Sequence, residues 1–168
     1  MTPCHRTSEH DRGFTLIELL IVMSIIAIIA AFAIPNITHL KRKGNEASAI
    51  QSIKAIIAAE LQYSSTYPAN GYACSLAALG GDKGTTPSPA AAAILQPDLA
   101  SGQKAGYTFT ITNCNKVTVN NQDQYTSYEI QAVPQKVGNT GDRGFCSDDS
   151  QQIRFDPKGG TACTQPIQ

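Results

Sequence analysis

The chain has 168 residues, and its 13 Lys plus Arg balance its 13 Asp plus Glu. Zero net charge supplies no field that would steer a polyanion or a basic substrate, and the length allows one modest domain beyond a membrane segment. The balance persists after residue 13, because residues 1–13 hold Arg6 and Arg12 against Glu9 and Asp11.

Residues 1–13 are polar, carry two of the three histidines, and read as a removable segment with no part in the fold. Residues 14–34 contain only Thr15, Glu18 and Ser24 as polar side chains. As a helix rising about 1.5 Å per residue, this stretch covers roughly 30 Å, the thickness of a bilayer core. It is apolar on every side, so its surroundings are lipid or other helices and not one face of a soluble core. Glu18 is the exception. An unpaired carboxylate at membrane depth costs about 2.5–3.5 kcal/mol, so it needs a partner. Cutting the chain between Gly13 and Phe14 creates one, the new α-amino group of Phe14. That cation is poorly matched to its own helix dipole, but in a bundle of identical helices Glu18 of one subunit pairs with the Phe14 amine of the next. Two buried charges that cancel only in one stagger specify register more than they add stability.

The run Arg12-Gly13-Phe14-Thr15-Leu16-Ile17-Glu18-Leu19-Leu20-Ile21-Val22, followed by an apolar helix and Pro35, resembles the processing site and N-terminal helix of type IV pilins and type II secretion pseudopilins. The resemblance implies that a prepilin peptidase cuts after Gly13 and methylates Phe14, and that Glu18 guides subunit addition. It implies a helical homo-oligomeric filament, built by assembly machinery in the inner membrane from subunits held in lipid. In this family the helix loosens just before the matching proline, and a helix-loosening glycine is common there; here Ala27 takes its place, while Pro35 is expected to kink the helix. The competing reading is a secretory signal peptide cleaved after Ala31-Phe32-Ala33. The apolar stretch is longer than such a peptide uses and contains Glu18. Lys41-Arg42-Lys43 after the span would by itself put the following domain in the cytoplasm. The processing motif and the cysteines place it outside.

Cys4 lies in the leader, which leaves Cys74, Cys114, Cys146 and Cys163. An even number in a small exported domain argues for two disulfides with three possible connectivities, and the favoured pairing is Cys74 with Cys114 and Cys146 with Cys163. The second closes a loop of about 17 residues, worth roughly 3 kcal/mol in the chain-entropy picture. It also stands where many type IV pilins carry a C-terminal disulfide loop. A zinc site is disfavoured, since no C-x-x-C pair exists and only His39 survives processing.

The chain then divides as residues 1–13 leader, 14–35 membrane and filament-core helix, 36–65 amphipathic helix, 66–106 connecting loop, and 107–168 sheet with the C-terminal disulfide loop. In the second helix Ala47, Ile50, Ile53, Ile57 and Leu61 recur at spacings of three and four, with Glu46, Gln51, Lys54 and Glu60 assigned elsewhere. Gly44 is expected to add a bend, and Tyr67-Pro68 closes the helix. The loop holds short helices at 75–79 and 90–95, and a glycine-rich turn at 80–85 that lacks a phosphate-loop ending. Strands are expected at 107–112, 117–119, 125–133 and 152–155. The fold class is α+β, a pilin fold in which a long N-terminal helix packs on an antiparallel sheet of three or four strands.

No Ser/His/Asp or Cys/His set can be assembled, so neither an enzyme nor a cofactor is expected, and no specific nucleic-acid site is identified. Asp142, Asp148, Asp149 and Asp156 form the one acidic cluster, read as turn caps with calcium as the rival. The functional reading is a pilin that is cleaved, N-methylated and polymerised into a type IV pilus for adhesion, motility or DNA uptake. The alternatives are a type II secretion pseudopilin and a membrane-tethered binding domain. Amino-terminal sequencing of the mature protein is expected to read N-methylated Phe14; a start at Ile34 would establish the signal-peptide reading instead.

Overall fold

A computed structural model of the protein describes residues 14–81, 84 and 86–167, with the side chains of residues 32–36 outside that set. Gly13 and Cys4 therefore lie outside the described residues. The backbone is helical through Pro35, whose side chain is among those excluded. Two compact units are present, Met1–Ile37 and Thr38–Gln168, and the helix α1 (Leu16–Thr66) contributes to both.

In the first unit Thr15 begins the helix, with its hydroxyl oxygen accepting the Glu18 N–H at 3.3 Å, the geometry of an N-cap. Glu18 in the first turn complements the helix dipole. Ser24 turns its hydroxyl back onto the Ile21 carbonyl at 2.8 Å, so its polarity is absorbed within the helix. The remaining large side chains are apolar and exposed. Among the described residues no helix is long and apolar enough to cross a membrane. The described side chains stop at residue 31, short of the end of the apolar run expected to span one.

In the second unit α1 buries a stripe through Glu46, Ala49, Ile53, Ile56, Glu60 and Tyr63. This corrects the expected face. Ala47 and Leu61 are exposed, Ile50 is half-buried, and two glutamates assigned to the solvent side lie in the core. No break in the helix occurs at Gly44. At the end of the helix Ser64, Ser65 and Thr66 donate their hydroxyls back to the carbonyls of Leu61 and Gln62, local bonds that compete with continuation of the helix.

The connecting segment carries α2 (Leu76–Leu79), capped by the Ser75 hydroxyl, and α3 (Pro97–Ala100). No helix forms at 90–95. Ala93 adopts a left-handed φ of 55°, and the amides of Ala92, Ala93, Ile94 and Leu95 bond to the carbonyls of Ala78, Leu79 and Gly80 instead of to their own turn. The antiparallel sheet has the order β1 (Gln103–Lys104), β2 (Tyr107–Thr112), β5 (Glu129–Pro134), β6 (Gly144–Asp148), β7 (Arg154–Asp156) and β8 (Gln165–Pro166). The four central strands carry the expected α+β arrangement, extended at each edge by a two-residue strand. A separate hairpin pairs β3 (Lys116–Val119) with β4 (Gln122–Tyr125). Its two-residue turn, Asn120 and Asn121, has positive φ at both positions, as a type I′ turn requires. The strand expected over 125–133 is thus two strands. The Thr126 amide bonds to the Asn115 carbonyl in the hairpin's register, one pair beyond Lys116 and Tyr125, and β5 begins only at Glu129.

Strict alternation places Tyr107 and Phe109 of β2 and Ile130 and Ala132 of β5 in the core, where Ile53, Ile56 and Phe145 meet them. Strand β6 shows no such alternation, because Gly144, Phe145, Cys146 and Ser147 are all buried. Disulfides join Cys74 to Cys114 and Cys146 to Cys163, with Cα separations of 6.0 and 5.9 Å. Gly144 is held by close approach, since an added Cβ would stand 1.9 Å from the Gly160 carbonyl oxygen. Gly44 faces open space. Gly144→Ala is therefore expected to destabilise the head by about 1–3 kcal/mol, while Gly44→Ala stabilises it by about 0.5–1 kcal/mol, as read by thermal denaturation of the full chain in detergent.

Candidate functional site

Two sets of residues bear on function, one at the start of α1 and one where its upper part enters the head. At the start, Phe14 is 85% exposed and Glu18 is also exposed. Among the described residues no side chain pairs with the Glu18 carboxylate. The two predicted assembly residues thus stand at the start of the helix, with the dipole's positive end beside the acid.

In the head, Glu46 is 1% exposed and receives four donors. The Asp142 N–H reaches Oε1 at 3.1 Å, and Arg143 places Nε at 3.0 Å and Nη2 at 2.8 Å from Oε2. Lys43 adds an ion pair at 3.3 Å from the preceding turn of the helix. The Arg143 guanidinium lies over the rings of Phe145 and Phe155, at 5.3 and 5.0 Å, which fixes its plane. Around this centre Arg42 pairs with Asp142 at 2.7 Å, Asn45 donates to the Thr140 carbonyl, and the Tyr107 hydroxyl donates to the Arg143 carbonyl. The turn before β6 is thereby riveted to α1. Burial alone would raise the Glu46 pKa, but the Asp142 amide, Arg143 and Lys43 together outweigh it and hold the carboxyl below its ordinary 4.5.

Glu60, further along the same stripe, is fully buried and has the opposite electrostatics. Its Oε2 accepts the Ala73 N–H at 2.8 Å, and Oε1 has no protein partner. Burial pushes its pKa up to about 8, against a smaller lowering by the Ala73 amide, so at neutral pH it is largely a neutral acid. Hydrophobic periodicity missed both glutamates, since it treats every carboxylate as solvent-facing. A partial signal was available: Glu46 and Glu60 fall on the same three-and-four spacing as Ala49, Ile53, Ile56 and Tyr63.

The acidic cluster near the C-terminus serves the turns. Asp148 accepts from the Ser150 amide and pairs with Arg154, while Asp156 accepts the amides of Lys158 and Ala162. Among the described residues, no group of three or more His, Cys, Asp or Glu could hold a metal.

Residues 10–34, which include the first turns of α1, match the family described as the prokaryotic N-terminal methylation motif. The chain carries the N-terminal methylation motif over these residues. A stretch of 58 residues is 42% identical to the type IV major pilin protein PilA of Myxococcus xanthus, covering 34% of this chain and 26% of that protein. The type II secretion system core protein G of Escherichia coli is 35% identical over 51 residues, 30% of this chain and 35% of its own. The type IV wide pilus major component PilA4 of Thermus thermophilus is 53% identical over 38 residues, 23% of this chain and 29% of its own. The chain thus spans about a quarter to a third of the length of these curated relatives. No solved structure matches it.

Removing one member of a buried ion pair strands the other. Arg143→Ala is expected to lower head stability by roughly 3 kcal/mol at pH 7 in denaturant titrations of the full chain in detergent. Because folded Glu46 holds its proton less tightly than the unfolded residue, the network's contribution is complete above pH 4.5 and is lost as pH falls through the lower folded value. The difference between wild type and Arg143→Ala should therefore shrink on acidification.

Proposed function

We propose that this chain is a prepilin: a membrane-held precursor cut between Gly13 and Phe14 by a prepilin peptidase, methylated on Phe14, and polymerised through its N-terminal helix into a type IV pilus filament. The observation that carries the reading is the methylation-motif match at residues 10–34, falling on a helix whose large apolar side chains between residues 14 and 29 are 46–85% exposed. An apolar surface of that extent needs lipid before assembly and neighbouring helices after it. Lipid tails are as apolar as the helix, so burial of apolar area cannot fix the stagger between subunits. Glu18 supplies that information by pairing with the Phe14 amine of the next subunit. The head, outside the cytoplasm, carries the disulfides that an oxidising compartment permits. The similarity to pilins favours a structural role over catalysis.

A second reading, a pseudopilin whose filament serves protein secretion, is favoured by the match to the E. coli secretion core protein. Surface fibres that disappear on deletion of the gene support the pilus; loss of secretion, from cells that never show fibres, supports the pseudopilus. Glu18→Ala is expected to abolish filaments seen by electron microscopy while the protein remains in the membrane fraction. Normal filaments from that variant would overturn the assembly role of Glu18.

A further inference from the structure

Residues 67–74 and the β3–β4 hairpin form one flap. The hairpin belongs to neither edge of the six-stranded sheet. It is instead bonded to the segment that leaves α1, through Tyr125 N–H to the Asn70 carbonyl at 2.9 Å, Tyr72 N–H to the Tyr125 carbonyl at 3.0 Å, and Gln124 to the Pro68 carbonyl at 2.8 Å. Gly71 makes this docking possible, since its φ is +73° and an added Cβ would stand 2.1 Å from the Tyr125 carbonyl oxygen. Against the core the flap makes three contacts, beginning with the Tyr67 ring, which lies 5.1 Å from that of Tyr63 on α1. The Tyr72 ring meets Tyr128 edge-on at 4.8 Å, and the Ala73 N–H donates to the buried Glu60 carboxyl at 2.8 Å.

We propose that Glu60 is a proton-dependent latch: protonated, it holds the flap of residues 67–74 and the β3–β4 hairpin against α1, and loss of its proton favours release of the flap. The surroundings offer an ionised Glu60 nothing to pair with. From its own helix the electrostatic neighbour is Tyr63, itself next to Tyr67; from the sheet side it is Tyr128, which in turn feels Tyr72, Asp148 and Asp149. All of these are acids, and none of the ion pairs among the described residues includes Glu60. The carboxyl is fully buried with Oε1 unpartnered in the protein, so a charge there is stabilised by the single Ala73 amide. Opening the flap is the short route by which that charge reaches water, because the segment it would lift is bonded directly to the carboxyl.

The proton affinity of Glu60 in the closed state, about 8, against an ordinary 4.5 once exposed, sets the direction. Opening releases a proton between those values, so the closed flap is fully favoured below pH 4.5 and loses that advantage as pH rises to about 8, beyond which the effect levels off. Hydrogen exchange of the full chain in detergent, followed by mass spectrometry from pH 5 to pH 9 and corrected for intrinsic exchange, tests this. Peptides covering 67–74 and 116–125 are expected to open about tenfold more per pH unit up to about pH 8 and then plateau. They should also exchange faster than peptides from 107–112 and 129–134. Glu60→Gln keeps an acceptor for Ala73 and should abolish the slope. A wild-type flap whose protection is independent of pH, or a slope that survives Glu60→Gln, would overturn the latch. If the variant does not fold, the wild type decides alone: flap and central strands exchanging at one common rate at every pH would show that Glu60 is uncovered by global unfolding only.

Discussion

The head of this protein depends on how α1 disposes of the two carboxyl groups it buries. A helix that lays glutamates into its core stripe must either bring charge to them or keep their protons, and this one does each once. Glu46 is met by Arg143, Lys43 and the Asp142 amide, so it stays ionised and ties the helix to the turn preceding β6. Glu60 is fully buried and met by a single amide, and burial outweighs that amide, so it largely retains its proton at neutral pH. Between the two, Ala49, Ile53 and Ile56 make the apolar contact with Tyr107, Phe109, Ile130 and Phe145. The apolar packing sets how closely helix and sheet approach, and the carboxyl groups set where along the helix they meet.

The first unit follows a different logic. Thr15 and Ser24 satisfy their hydroxyls within the helix itself, and among the described residues no side chain pairs with the Glu18 carboxylate. The head thus answers its buried carboxyl groups from within the chain, whereas Glu18, at the other end of the same helix, is exposed.

Much of this was readable in the sequence where the determinants are local. The processing motif is a contiguous run, β2 announces itself by Tyr-Thr-Phe-Thr-Ile-Thr, and Asn120-Asn121 marks a tight turn by the left-handed tolerance of asparagine. What escaped was non-local. The burial of Glu46 depends on a guanidinium 97 residues later, and no periodicity within the helix encodes it. Strand β6 is buried on both faces and has lost the alternation that identifies a strand. The segment 90–95 is rich in alanine and reads as helix, yet its amides are claimed by the carbonyls that end α2. In each case a partner distant in sequence overrode a local preference.

The reach of the Glu46–Arg143 contact also orders events in time. During synthesis α1 is made first, and its Glu46 has only the part-exposed Lys43 beside it until the Arg143 guanidinium follows, 97 residues later. Until then the apolar stripe can meet β2 and β5, but Arg143 and the strands β6 and β7 that follow it are still absent. Head closure is thus deferred to the end of the chain's delivery. A chain arrested midway has its long helix but leaves Glu46 without the Arg143 guanidinium and the head open.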